Sequence, residues 1–184
     1  MSAPTAEEQS IAALLADGSP PETPEGLLAR LAELGIAQTT VTHPPLYTVE
    51  ESKALRGQLP GLHIKNLFLR NKKGAMWLVT CLEDRPVDLK RLGEALGAGR
   101  FSFGSAERLM RHLGVRPGAV TPFAVINDKA GEVRMVLDRA LIGRDPVNAH
   151  PLVNDRTTAV SGDDLVRFLG AQAHLPEPLD FDSL

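Results

Sequence analysis

Lys65 is the residue whose setting most demands a chemical explanation. It sits in Gly61-Leu62-His63-Ile64-Lys65-Asn66-Leu67-Phe68-Leu69-Arg70, a run that reads as a strand. Strand side chains alternate faces, so Lys65 shares a side with Leu67 and Leu69. A lysine on that parity either snorkels its ammonium to the rim or lines a site that wants a cation. Asn66, beside it, makes this the first polar island in an apolar segment.

Two further polar islands interrupt apolar segments. Gly118-Ala119-Val120-Thr121-Pro122 precedes the apolar run Phe123-Ala124-Val125-Ile126. Its glycine and proline punctuate a turn. Such a turn can aim backbone N–H groups at one spot, as an oxyanion hole or anion nest does, or it can be an ordinary entry loop. The last island is Ala149-His150-Pro151-Leu152-Val153-Asn154, where His150 is either a hydrogen-bonded loop histidine or a site residue.

Other chemistries lack their residues. His43, His63, His112, His150 and His174 are far apart in sequence and form no close pair with Cys81, so no metal site is expected. There is no nucleophile elbow and no phosphate loop, and Gly97-Ala98-Gly99 falls short of a dinucleotide fingerprint. No cofactor is therefore expected. Cys81 lies in the apolar run Leu78-Val79-Thr80-Cys81-Leu82 and reads as a buried small hydrophobe.

The elements that must position these islands follow from caps and periodicity. Thr5 to Glu8 has capping-box spacing and opens a short helix ending near Gly18. Thr23-Pro24 starts a helix with Leu27, Leu28, Leu31 and Leu34 on one face and Gly35 as its stop. Residues 39–43 read as a strand, and Thr48 with Glu51 caps a short helix. Residues 62–70 and 75–83 form a hairpin across Asn71-Lys72-Lys73-Gly74. Asp88 caps a helix over 89–96, and Ser105 caps another over 106–113. Residues 123–127 and 132–137 read as a second hairpin. A strand near 156–160 leads to Ser161, which caps a last helix with Leu165, Phe168 and Leu169 inward. These elements predict one α+β domain whose mixed, largely antiparallel sheet is flanked by helices. Residues 1–22 read as an N-terminal helical extension and linker, 23–172 as the domain, and 173–184 as a loosely held, Pro-rich acidic tail.

Composition sets outer bounds. The 184 residues are 43% hydrophobic and 23% charged, with net charge −3. That balance disfavours a broadly basic nucleic-acid binder but leaves room for a local patch. Lys65, Arg70, Lys72, Lys73, Arg85, Lys90, Arg91 and Arg100 crowd one stretch. A single cysteine, an acidic start and no membrane-length apolar run predict a cytoplasmic protein.

Taken in order, Gly61-x-His63-x-Lys65-Asn66-Leu67-Phe68-Leu69, Gly118-x-x-x-Pro122-Phe123 and His150-Pro151-Leu152-x-Asn154 resemble the prolyl-tRNA editing family. That family includes YbaK-like proteins and the insertion domain of bacterial prolyl-tRNA synthetase. Met76-Trp77-Leu78-Val79, Arg100-Phe101-Ser102-Phe103, Leu113-Gly114-Val115-x-Pro117-Gly118 and Val136-Leu137-Asp138 extend the resemblance over residues 24–172. It is nearest to free-standing members that deacylate Ala-tRNA(Pro). Ala149, where many members carry an aromatic, and Val153, where threonine is common, depart from the pattern and bear on the aminoacyl pocket.

The resemblance implies hydrolysis of the ester between a misattached amino acid and the 3′-terminal adenosine of tRNA(Pro). Lys65 would supply positive charge, with backbone N–H groups of Gly118, Ala119, Val120 and Thr121 polarising the carbonyl. Asn66, Arg100, Pro122, His150 and Asn154 would bind substrate. The implied partners are the tRNA(Pro) acceptor end and, transiently, prolyl-tRNA synthetase. Related deacylases for Ser-, Thr- or Cys-charged tRNA, a non-catalytic tRNA-binding module and a pocket for a small metabolite are the alternatives.

Overall fold

The computed structural model describes Ala6 and residues 13–46, 49–56, 59–144 and 146–184. Its strands are β1 (Thr39–Thr42), β2 (Leu62–Arg70), β3 (Met76–Leu82), β4 (Ser102–Phe103), β5 (Val133–Asp138), β6 (Val147–Ala149), β7 (Arg156–Val160) and β8 (Glu177–Leu179). They form one mixed sheet in the order β1-β7-β6-β2-β3-β5-β8, with β4 added beside β2. The β1–β7, β6–β7, β2–β3 and β2–β4 pairs are antiparallel, whereas β2–β6, β3–β5 and β5–β8 are parallel. The helices are α1 (Pro24–Glu33), α2 (Val49–Arg56), α3 (Leu89–Ala95), α4 (Ala106–Leu113) and α5 (Gly162–Ala171).

Each face of the sheet carries its own core. On one face, Phe68, Leu78, Met135 and Leu137 pack with Leu27 and Leu31 of α1, Leu109 and Leu113 of α4, and Leu165, Phe168 and Leu169 of α5. On the other, Leu69, Trp77, Val79, Cys81 and Val136 pack with Leu92 of α3, Phe101 and Phe181. Local chemistry sets the helix starts. Thr23, Asp88, Ser105 and Ser161 each accept a backbone N–H in the first turn of the helix that follows, which satisfies an otherwise orphaned donor. The first hairpin turns at Asn71, whose Oδ1 accepts the N–H groups of Lys73 and Ala75.

Three sequence expectations differ from the structure. The second hairpin does not form, because Pro122–Asn127 is a 3-10 helix rather than a strand. Thr121 accepts the Phe123 N–H as its cap, and Pro122 at the first position has a backbone preset for a helical turn. The apolar run fits either structure by pattern, and burial of Phe123 against Phe168 of α5, with ring centroids 5.3 Å apart, is satisfied by the helix. The tail is not loosely held. β8 extends the sheet beside β5, Phe181 is buried, and Asp182 pairs with Arg85. Pro178 is tolerated because β8 is an edge strand.

The capping box at Thr5 to Glu8 and the cap at Thr48 lie outside the described residues. Residues 13–19 form a turn instead of the end of a helix. There Leu15 is buried and the Ala16 N–H donates to the Arg111 carbonyl at 2.9 Å. No helix among the described residues is long and apolar enough to cross a membrane.

Candidate active site

β2 organises the site because, among the described residues, it has a strand neighbour on one side along most of its length but on the other only at its ends. Leu62 and His63 pair with β6, and Leu69 and Arg70 pair with β4. Between them lies a notch at Ile64 to Leu67. Lys65 and Asn66 project from the notch to opposite faces, as strand alternation requires.

Asn66 reaches the face covered by α1, α4 and α5. Its Nδ2 donates to the Val120 carbonyl at 3.0 Å, and its Oδ1 accepts the Thr80 hydroxyl at 2.6 Å. Thr80 lies directly across from it on β3 and is fully buried. A buried hydroxyl and amide that satisfy each other give Asn66 one orientation. That orientation ties down the Gly118–Thr121 loop. Gly118 has φ 90°, a conformation that other residues adopt only with strain. Within the loop, the Ala119 N–H is committed to the Arg116 carbonyl at 3.0 Å and cannot serve a substrate. The N–H groups of Gly118, Val120 and Thr121 have no acceptor among the described residues. Thr121 and Pro122 are buried.

Lys65 is half-buried on the other face, with Leu67 and Leu69, as its parity predicts. Its ammonium donates to the backbone carbonyl of Arg85, at the end of the β3 exit turn. Arg85 is itself clamped. Its guanidinium grips the buried Asp138 through Nε at 2.6 Å and Nη2 at 3.3 Å, and also contacts Asp182. Asp138 further accepts the N–H groups of Leu82 and Ala140. A cavity of about 460 Å³ opens beside this turn, lined by Gly61, Leu62, His63 and Leu82 to Pro86. Gly61 is required there: at φ 102° a Cβ would stand 2.4 Å from the Pro146 carbonyl oxygen.

His150 precedes the loop that follows β6. Its Nδ1 lies 3.0 Å from the Arg156 carbonyl, an acceptor, so Nδ1 carries the proton and the Nε2 lone pair is left for another partner. Burial pushes its pKa below the ordinary value and the nearby His43 adds to that, which keeps the ring neutral. The two rings lie 6.4 Å apart. Leu152, two residues on, holds φ 69° while buried, a strained conformation that the surrounding packing enforces. Leu152, Val153 and Asn154 line a cavity of about 370 Å³ with Val115, Pro117 and Ala119, so the second and third islands share one hollow. Pro21 to Pro24 complete its wall. Ala149 is buried in the core on the same side of the sheet.

Arg100 is exposed and stands apart from both loops, beside α3. Cys81 is fully buried and burial pushes its thiol up to about 11, so it is a core residue. Among the described residues, no three His, Cys, Asp or Glu side chains converge as metal ligands would. Sequence reasoning missed Thr80, Arg85, Asp138 and His43. Thr80 was marked by being polar in an otherwise apolar strand opposite Asn66, and Asp138 by ending one.

Residues 43–168 match the model of the aminoacyl-tRNA editing domain. The chain belongs to the aminoacyl-tRNA editing family. It is 38% identical over 151 residues to the prolyl-tRNA editing protein ProX of Acetoanaerobium sticklandii, covering 82% of this chain and 92% of that one. It is 39% identical over 158 residues to mouse prolyl-tRNA synthetase associated domain-containing protein 1, covering 83% and 93%. In fold it is similar to a crystal structure described as that of a candidate trans-editing enzyme for prolyl tRNA synthetase. The TM-score is 0.66 at 19% identity, with 85% and 94% of the chains covered. The editing-domain fold accounts for the mixed sheet, and the notch, the tied loop and the His150 loop are features of this editing domain.

Proposed function

We propose that the protein is a trans-acting deacylase that hydrolyses mischarged tRNA(Pro), with Ala-tRNA(Pro) as its substrate. Family membership and the relatives' described roles support the reaction class. The observation that carries the mechanism is the Asn66–Val120 tie, which holds a loop with unclaimed N–H groups next to the notch.

The ester is already activated, so the protein has only to orient water, hold the terminal adenosine and stabilise charge. A lone pair of water forms a bond to the carbonyl carbon as the C=O π electrons pass to the carbonyl oxygen. N–H groups of Gly118, Val120 or Thr121 meet that oxyanion. One such donor is worth about 3 kcal/mol in comparable sites. When the intermediate collapses, the bond to the ribose 3′ oxygen breaks. The proton from water passes to that oxygen, with the vicinal ribose hydroxyl as relay. The products are free amino acid and tRNA with a free 3′ hydroxyl.

Lys65 serves from the opposite face of the notch, where its ammonium attracts the terminal phosphate. Neutral His150 offers its Nε2 lone pair to the substrate's ammonium or to water. The hollow at Ala119, Leu152, Val153 and Asn154 receives the amino acid, and Arg100 contacts phosphate farther along the RNA. Size selection suits an editing site, since pockets separate substrates differing by a methylene only 10- to 200-fold or so on binding alone. The protein works in the cytoplasm, meeting tRNA freed from, or passed on by, prolyl-tRNA synthetase.

A panel of Ala-, Pro-, Ser-, Thr- and Cys-charged tRNA tests this. Rapid loss of alanine with proline retained is the expected result. Preference for Ser-, Thr- or Cys-tRNA would reassign the substrate, and binding without turnover would reduce the protein to a tRNA-binding module.

A further inference from the structure

Phe103 stands out once the faces of the sheet are assigned. It is 60% exposed and is the only exposed aromatic ring among the described residues. Among the described residues β4 has β2 as its one strand neighbour, so Phe103 lies at a rim. It sits directly opposite Leu69, and directly opposed residues on paired strands share a face. Leu69 has the parity of Lys65. Phe103 is therefore on the Lys65 face, four residues along β2, or about 13 Å at the usual rise per residue.

The charge around this ring is distinctive. From Lys65 to Arg100 the chain carries eight basic residues against four acidic ones, in a protein of net charge −3. Lys72, Lys73, Lys90, Arg91 and Arg100 are exposed, and none makes an ion pair among the described residues. They lie in the β2–β3 turn, on α3 and just before β4. Single exposed apolar residues are common on proteins. An exposed aromatic ring in a group of unpaired cations is what single-stranded nucleic acid needs, since bases stack on the ring and phosphates meet the cations.

We propose that Phe103 is a stacking platform for an unpaired base of the RNA 3′ end, one to a few nucleotides before the terminal adenosine held near Lys65. At roughly 3.4 Å per stacked nucleotide, 13 Å spans a few nucleotides, which suits the short single-stranded end of a tRNA. Lys90, Arg91 and Arg100 then flank the backbone of that segment. This inference rests on the tRNA substrate proposed above.

The test uses the full chain and uncharged RNA, so it does not depend on turnover. F103W places a fluorophore at the rim, where substitution disturbs no core. A hairpin RNA carrying the tRNA(Pro) acceptor stem and its single-stranded 3′ end should change the fluorescence of F103W, and the same hairpin trimmed to a blunt end should not. F103A and F103L should both bind the full hairpin roughly 5- to 100-fold more weakly than wild type, the range for loss of one stacked base. Leucine keeps apolar bulk but has no ring face, so wild-type affinity in F103L would overturn the stacking role. An equal response of F103W to both hairpins, or no response, would also overturn it. If wild type fails to deacylate mischarged tRNA(Pro) while these binding results hold, the editing reading fails and the RNA surface stands.

Discussion

Asn66 and Val120 are joined by a side-chain amide donating to a backbone carbonyl at 3.0 Å, across 54 positions of sequence. This bond couples the sheet to the Gly118–Thr121 loop and gives the loop its place at the notch. Asn66→Ala removes the tie and leaves the buried Thr80 hydroxyl without its acceptor. The expected result is a fall in turnover of about 10- to 100-fold with a stability loss of about 1–3 kcal/mol. Thr80→Val, which frees Asn66 to rotate, should reproduce a smaller part of the kinetic loss. Single-turnover rates and urea melts on both variants check this. Wild-type turnover in Asn66→Ala would separate the loop from the chemistry.

His150 bears on the pH profile. Burial lowers its pKa, so the neutral ring with a free Nε2 persists below the usual imidazole range. The rate constant for deacylation, corrected for spontaneous ester hydrolysis, should stay level from pH 8 down past 6.5 and fall only at lower pH. His150→Ala should lower the rate and remove that acid limb. An inflection at or above 6.5 in wild type would contradict a neutral, buried role.

His174 and Asp128 give a pH dependence of stability. Both nitrogens of the His174 ring face acceptors, the Gln172 carbonyl at 2.6 Å and the Asp128 carboxylate at 2.8 Å, an arrangement that favours the imidazolium. Its hydrogen bond to Asp128 raises its pKa above 6.5 against the opposing effect of burial. Its contribution is complete below 6.5 and is lost as pH rises through the raised folded value. For Asp128, burial acts upward, but the bonds from His174 and from the N–H groups of Val133 and Glu132 prevail and leave it below 3.8. Its contribution is present above 3.8 and is lost as pH falls through the lowered folded value. His174→Gln should therefore cost most near pH 5 to 6, about 3 kcal/mol for a broken buried pair, and clearly less at pH 9. Denaturant melts at the two pH values decide it. An equal cost at both would show that the ring is neutral when folded.

Much of this architecture was legible in the sequence because it rests on local chemistry. Asp88, Ser105 and Ser161 fix helix starts through their own side chains, and Asn71 makes its own turn. Lys65 announced its face by simple alternation. What was not legible depends on distant partners. Pro122–Asn127 takes its 3-10 start from Thr121 and Pro122, but a short apolar run does not reveal that Phe123 packs on Phe168 of α5 rather than in the sheet. The tail is ordered because Arg85 and β5 receive it. Asn66 ties the first island to the second, and the second and third share one hollow, but alternation already implied that Lys65 and Asn66 point apart. Their separation became meaningful only with the notch that opens β2 to both faces.

The most direct test is single-turnover deacylation of Ala-tRNA(Pro) by wild type and Lys65→Ala, with Pro-tRNA(Pro) as the comparison substrate. Wild type should release alanine fast and proline little, and at subsaturating enzyme a folded Lys65→Ala protein should be roughly 10- to 100-fold slower, the range for losing one charge-assisted contact to the terminal phosphate. Release of alanine by wild type no faster than spontaneous hydrolysis would contradict the editing function, and an unchanged rate in Lys65→Ala would remove the lysine from the mechanism.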